Sequence, residues 1–554
     1  MAARHLSRRA ILKTSLFGTA FAALPAFATR AAEAAAFAPS RVGEWAAESS
    51  SMSAVVDTAG GKVRGVVSNG VHVYRGIPYG ASTAGANRFM PPRKAEPWTG
   101  VRDAFQNGHS SPQVSPAPGA IGAGLRGYAA QGEDCLVLNV FSTGVPGNNV
   151  GRQRPVMMWI HGGGYTYGSG SSLGYDGANL SRTGDVVVVC INHRLAINGH
   201  LYLGAAGADF TDSGNVGMLD IVASLQWVKD NIAQFGGDPG NVTIFGQSGG
   251  GGKVSTLLAM PAAKGLFHKA IVESGSTLKQ MTRDEAQKTT DQVASRLGLK
   301  PTQVAELQQV PLAKLLAAMA GGAAAGGGGG TRFGPVVDGH SLPRDPFDPD
   351  APDVSADVPM IIGTTETEGS YFAPPDLLSL DEAAARARLK ERLAGDGDRI
   401  YDLFKKSRPK ATPSELYFTI SAFPSNAHMQ AERKAAKGRA PAFVYQIRWR
   451  TPVEGGRRLS PHCIEIPFAM QNHWQLPEMV GTGPELQPLA DKVSGAWLAF
   501  ARTGNPSHPG IPKWPAYNAT ERATMHMNDD WKVATDPDRE ERLALMPLPR
   551  LPMF

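Results

Sequence analysis

Hydrophobic and polar positions fall into distinct patterns along the chain. From Val55 to Ile77 they alternate, with breaks at Gly60-Gly61 and Asn69-Gly70. Alternation punctuated by such turns predicts an antiparallel meander. Solid apolar runs follow at Pro155–Ile160, Val186–Ile191 and Val242–Phe245. Continuous Val/Ile runs belong to strands covered on both faces, hence to a mostly parallel sheet. Between the last two runs, Leu219, Val222, Ala223, Leu225, Trp227, Val228 and Ile232 recur at helical spacing. Ala270–Val272, Pro359–Ile362 and Ala442–Ile447 predict further strands. Strands alternating with helices give an α/β fold. Residues 280–325 read as Ala/Leu-rich helix running into a Gly/Ala tract at 321–330, taken as a flexible loop. Residues 373–440 read as charged helix. Both segments are insertions over the sheet edge within a single domain, 52–554, after a mobile Ala/Ser-rich stretch at 29–51.

The first residues change the picture of where the protein works. Ser7-Arg8-Arg9-Ala10-Ile11-Leu12-Lys13 is a twin-arginine pattern, a weak apolar run follows from Leu16 to Leu24, and Ala26-Phe27-Ala28 is a cleavage site. Residues 1–28 therefore read as a signal peptide for twin-arginine export to a bacterial periplasm or beyond. The run is too short and too rich in Ala, Gly and Thr for a bilayer span. No later stretch is apolar enough to cross a membrane. Removing 1–28, which hold Arg4, Arg8, Arg9 and Lys13 and no acid, takes the formal charge from +6 to +2. That is no footprint for nucleic acid. Three cysteines, Cys135, Cys190 and Cys463, form no disulfide framework. No C-x-x-C or H-E-x-x-H spacing calls for a metal.

The most informative chemistry is Gly246-Gln247-Ser248-Gly249-Gly250, directly after the Asn241–Phe245 strand pattern and before a small-residue helix start. A strand turning sharply into a helix thrusts the middle serine outward, where a base and an ester carbonyl can both reach it. A second G-x-S-x-G, Gly170 to Gly174 around Ser172, has no strand entering it and reads as loop. A serine hydroxyl needs a base, and the base a carboxylate. Spacing leaves Glu366 or Glu368 as the acid, after the Pro359–Gly363 strand, and His462 or His473 as the base. His161-Gly162-Gly163-Gly164 follows a buried strand and supplies N–H groups for an oxyanion.

With these residues the chain resembles the type-B carboxylesterases, relatives of cholinesterases and bacterial para-nitrobenzyl esterases. The stations run in order from Arg75-Gly76-Ile77-Pro78-Tyr79 through Glu133–Val140, His161–Gly164, Phe235–Pro239, Gly246–Gly251, Pro335–Gly339 and Glu368–Phe372 to Phe500–Pro506. The resemblance implies an α/β-hydrolase fold and hydrolysis of carboxylic esters through an acyl-enzyme, with no metal or organic cofactor. It implies Glu368 as the acid, leaving Glu366 a surface carboxylate. It implies His462 as the base, in His462-Cys463-Ile464-Glu465-Ile466-Pro467-Phe468, which His473 does not match. It implies oxyanion donors at Gly163, Gly164 and Gly249, with His161 orienting their loop. The partner is a small-molecule ester, small to medium and neutral or anionic. Lipase-like or transacylase activity uses the same triad, and a non-catalytic binding relative would lack the nucleophile present here.

Departures from the resemblance carry their own expectations. Gln247 stands where the family has Glu, removing a negative charge that would favour an imidazolium on His462. Gly249 stands where Ala is usual. Lys253 replaces a small residue and is read as solvated, or else as lining the pocket. Cys135 matches a half-cystine whose partner region here is Ser110–Gln113, so it is read as a buried free thiol. The Val114–Gln131 loop lacks the Trp with which cholinesterases hold an ammonium. Arg126 in that loop is read as a solvated charge, or else as a sign of tolerance for anionic esters.

Overall fold

The computed structural model describes residues 51–114, 122, 125, 129–144, 153–320 and 331–548. The leader expected at 1–28, Arg126 and the Gly/Ala tract at 321–330 lie outside these residues. The meander forms strands β1 (Ser51–Thr58), β2 (Gly61–Ser68) and β3 (Val71–Pro78), all antiparallel. At its second turn Asn69 and Gly70 take φ of 48° and 75°, left-handed values that suit Asn and Gly.

Then come β4 (Val101–Asp103), β5 (Val137–Ser142), β6 (Arg154–Ile160), β7 (Val187–Ile191), β8 (Gly237–Gln247) and β9 (Lys269–Glu273). They are followed by β10 (Met360–Thr365), β11 (Ala442–Ile447), β12 (Thr524–Met527) and β13 (Lys532–Ala534). These make a 13-stranded sheet in the order β1-β2-β3-β5-β7-β6-β8-β9-β10-β11-β12-β13, with β4 beside β2. From β7 across to β12 every pairing is parallel. The Val/Ile runs are the strands of this parallel part, and their burial explains why they do not alternate. Val156, Met158 and Ile160 point into one core layer and Met157 and Trp159 into the other. The pattern did not reveal β5 or β12: Val137–Ser142 and Thr524–Met527 mix polar residues into short runs.

The helix between β7 and β8 spans Val216–Asn231. Helices Arg283–Arg296 and Leu312–Ala320 occupy the first insertion. Helices Glu382–Arg392, Gly397–Ser407, Pro413–Ser421 and Ser425–Lys437 occupy the second. The first three of these four share a core of their own around Leu389, Tyr401, Phe404 and Leu416. Among the described residues no helix is long and apolar enough to cross a membrane.

Candidate active site

Strand β8 ends at Gln247, and helix Gly249–Leu257 begins after a single intervening residue. Glycines make so abrupt a turn possible. A Cβ on Gly246 would lie 2.5 Å from the Ile160 carbonyl oxygen, and one on Gly250 only 2.0 Å from it. Between them Ser248 takes φ 58° and ψ −125°, a strained conformation for a residue with a side chain. It is held there by its N–H donating to Glu273 O at 2.8 Å and by Gly252 N–H donating to its carbonyl at 2.9 Å. Ser248 lines a cavity of about 40 Å³ together with Gly163, Gln247, His462, Tyr371 and Phe372.

Glu368 opens a 3-10 turn just past β10 and is fully buried. Its Oε1 accepts the Thr365 N–H at 2.7 Å. Its Oε2 is hydrogen-bonded to His462 Nδ1, and its main-chain oxygen accepts the His462 N–H at 3.3 Å. Two contacts from one residue thus fix both backbone and ring of His462, and they make Nε2 the basic nitrogen. Burial works against a proton on His462. The Glu368 carboxylate beside the ring outweighs it, and the pKa stands well above the ordinary histidine value.

Gln247 is buried behind the ring. Its Nε2 lies 3.3 Å from His462 Nδ1 and 3.2 Å from Nε2. A donor in the ring plane cannot approach both nitrogens this closely, so the amide lies across the ring face. The Cys463 thiol donates to Gln247 Oε1 at 3.1 Å, which turns the NH2 end of the amide towards the imidazole.

The glycine loop after β6 lies beside the Ser248 cavity. Gly163 and Gly164 take φ of 87° and 59°, and among the described residues their N–H groups meet no backbone acceptor. Gly163 borders the cavity. Gly164 and Gly249 touch: a Cβ on Gly249 would fall 2.2 Å from Gly164 O. His161 is buried with Nδ1 2.8 Å from Gly162 O and its ring against His193. Burial and the nearby Lys253 lower its pKa to about 3, so it is a neutral prop for the loop.

Two expectations need correction. Lys253 is not solvated; it is fully buried, with Nζ donating to His161 O at 3.0 Å and to Gly164 O at 2.8 Å. Glu366 is not a surface carboxylate. It is buried at the end of β10, where Arg448 lies 3.6 Å away, and burial raises its pKa. His473 packs against Trp474. The Ser172 hydroxyl donates to Ser169 O at 3.1 Å within a turn. All three cysteines are free and buried, and burial with the nearby Asp220 pushes the Cys135 thiol to about 12.

Residues 52–546 match the family model described as the carboxylesterase family. The chain belongs to the carboxylesterase family. It is 36% identical to the para-nitrobenzyl esterase of Bacillus subtilis (strain 168), over 89% of this chain and 98% of that protein. It is 34% identical to liver carboxylesterase 1 of Oryctolagus cuniculus, over 84% of this chain and 88% of the other. Among solved structures, a carboxylesterase of Geobacillus stearothermophilus superposes with a TM-score of 0.75 at 36% identity, covering 88% of this chain and 99% of its own. An esterase of Clostridium hathewayi, described as able to hydrolyse aliphatic aromatic polyesters, gives 0.78 at 34% identity, with 90% and 100% covered. The protein is therefore a carboxylesterase with the α/β-hydrolase fold, a hydrolase of carboxylic esters.

The carboxylesterase carries site residues that sequence reasoning did not single out. Tyr371 and Phe372 form a cavity wall directly after the Glu368 turn; Phe372 lies 5.6 Å from the His462 ring, centroid to centroid. Behind His462 stand two more buried carboxyls. Glu465 accepts a hydrogen bond from Ser274 at 3.3 Å, and Glu273 accepts one from Trp497 Nε1 at 2.7 Å. Burial, then repulsion from Glu368, raises Glu465 to about 7; burial and repulsion from Glu465 raise Glu273 well above its usual range. Two buried carboxyls that repel one another resist ionising together. The signal for Glu465 was its place three residues after His462; nothing local marked Glu273.

Proposed function

We propose that this carboxylesterase hydrolyses esters with a Ser248–His462–Glu368 triad through an acyl-enzyme. Ser248 Oγ attacks the ester carbonyl carbon while His462 Nε2 takes its proton. The carbonyl oxygen becomes an oxyanion and is met by the N–H groups of Gly163, Gly164 and Gly249. When the tetrahedral adduct collapses, the ester C–O bond breaks and the alcohol leaves with the proton from His462. Water then attacks the acyl-enzyme, again giving its proton to His462. The acid departs and Ser248 regains its hydrogen. Glu368 holds the tautomer and steadies the transient imidazolium. The observation that carries this reading is the doubly anchored Glu368–His462 pair, which brings the imidazole into the cavity of the strained Ser248.

The cavity favours neutral esters with flat or short groups. Its walls include Tyr167, Tyr175, Tyr371 and Phe372, and the side chain beside the nucleophile, Gln247, bears no charge. The relative named a para-nitrobenzyl esterase supports esters whose alcohol carries a flat ring. The test is steady-state hydrolysis of p-nitrophenyl acetate. Ser248→Ala and His462→Gln should each lose at least about 10³-fold in kcat. Either variant keeping more than a tenth of the wild-type kcat would refute the triad.

The leader at 1–28 supports export by the twin-arginine route to the periplasm or medium. Replacing Arg8 and Arg9 with Lys should leave the protein uncleaved inside the cell, whereas the native leader should yield a chain beginning at Thr29. Equal export of both would rule the route out.

A further inference from the structure

We propose that Lys253 is a positioning residue of this hydrolysis: its side-chain nitrogen holds the His161–Gly164 loop closed on Gly249, keeping the oxyanion donors aimed at the cavity of Ser248. This rests on the triad reading above and adds a residue that reading does not use.

Lys253 lies on helix Gly249–Leu257, four residues after Gly249 and so on the same helix face. Its two hydrogen bonds go to His161 O and Gly164 O, the first and last residues of the glycine loop. A loop with glycines at φ of 87° and 59° has little conformational preference of its own, so its shape must come from outside. Fastening both ends to the helix that carries Ser248 supplies that shape. Gly249 is the complementary half of the device. A Cβ there would sit 2.2 Å from Gly164 O, 2.4 Å from its Cα and 2.5 Å from its carbonyl carbon. The loop is drawn so close that only glycine fits. The two departures from the family pattern, Gly249 and Lys253, therefore explain each other.

The surroundings argue against an ordinary structural lysine. The hydrogen bonds of its Nζ go to main-chain carbonyls, and the side chains facing it offer no negative charge. His161, His193 and His200 are driven neutral by burial, and Tyr165, whose ring lies 5.6 Å from Nζ, is likewise held protonated and neutral. Arg194 is already paired with Asp220 at 2.7 Å. A buried cation without a counter-charge is costly to keep. The negative charge that does arrive on the far side of the loop is the oxyanion, during turnover.

The experiment compares Lys253→Met, Gly249→Ala and the double variant in the mature enzyme. The readouts are p-nitrophenyl acetate kinetics and inhibition by an aryl trifluoromethyl ketone, whose hemiketal on Ser248 places an oxyanion in the pocket. Lys253→Met should lower kcat about 10- to 100-fold with KM within about twofold. Its ketone inhibition constant should weaken by the same factor as kcat/KM. Gly249→Ala should cost at least about tenfold in the parent but little more in the Lys253→Met background, where the loop is free to retreat. Lys253→Met with kcat and ketone inhibition both within twofold of wild type would overturn the proposal. So would strictly additive losses. If Lys253→Met does not fold, Gly249→Ala alone decides, and an unchanged kcat there counts against the proposal. Activity surviving in Ser248→Ala would instead sink the triad reading beneath it.

Discussion

Gln247 puts a neutral side chain against the proposed base. Its amide lies across the His462 ring, oriented by the Cys463 thiol. On the proposed triad, turnover needs His462 neutral, so the rate should rise with pH through its pKa, which Glu368 holds above the ordinary histidine range against burial. A carboxylate in place of the amide adds attraction for the imidazolium. Gln247→Glu should therefore move the acidic limb of the kcat/KM–pH profile to higher pH by about one unit. Superimposable profiles would show that residue 247 does not set the base.

Lys253 carries a stability prediction as well. Burial lowers its pKa from the usual 10.5 to about 7. Between those values the unfolded chain holds a proton that the native chain does not, so native stability rises with pH across that window. Below it both states are protonated, and the native state bears the full penalty of the buried charge. Lys253→Met should unfold at higher urea than wild type at pH 6.5, by roughly 1–4 kcal/mol, and the gap should close towards pH 10. A gap that grew with pH would contradict the assignment. A variant more stable yet slower is the signature of a residue kept for function.

At the scale of elements, the turn from β8 into its helix is where sequence and structure agree most closely. Gly246 and Gly250 are required by the Ile160 carbonyl oxygen, at 2.5 and 2.0 Å from their would-be Cβ atoms. Gly250→Ala should destabilise the fold by about 2–3 kcal/mol, read as a shifted urea midpoint. A change under about 0.5 kcal/mol would mean that strand β6 yields easily at this point. The parallel strands were legible because burial on both faces writes itself as unbroken Val and Ile. Strands β5 and β12 were not, since Asn139, Thr524 and His526 interrupt their runs while the sheet buries them regardless. The same override hid Lys253 and Glu366. A charged residue reads as exposed until the fold supplies carbonyls or an arginine to receive it.

For the whole molecule, composition and spacing led to a serine with two candidate acids and two candidate bases. The resemblance chose among them, and the fold gives that choice a physical form. Glu368 and His462 lie at the ends of different β-to-loop crossings, and only the order of the parallel strands brings them together with the turn after β8. No local pattern encodes that meeting, just as none encodes Glu273 beside Glu465. The proposed leader at 1–28 is the opposite case, since the reading rests wholly on local sequence.

The convergence of Ser248, His462 and Glu368 is tested most directly by locating the covalent adduct of a fluorophosphonate probe through peptide mass spectrometry. The expected result is a single adduct on the peptide bearing Ser248, formed fast in the wild type and at least about 10³-fold more slowly in His462→Gln. An adduct on Ser172 or another serine, or labelling of Ser248 at the same rate without the imidazole, would contradict it.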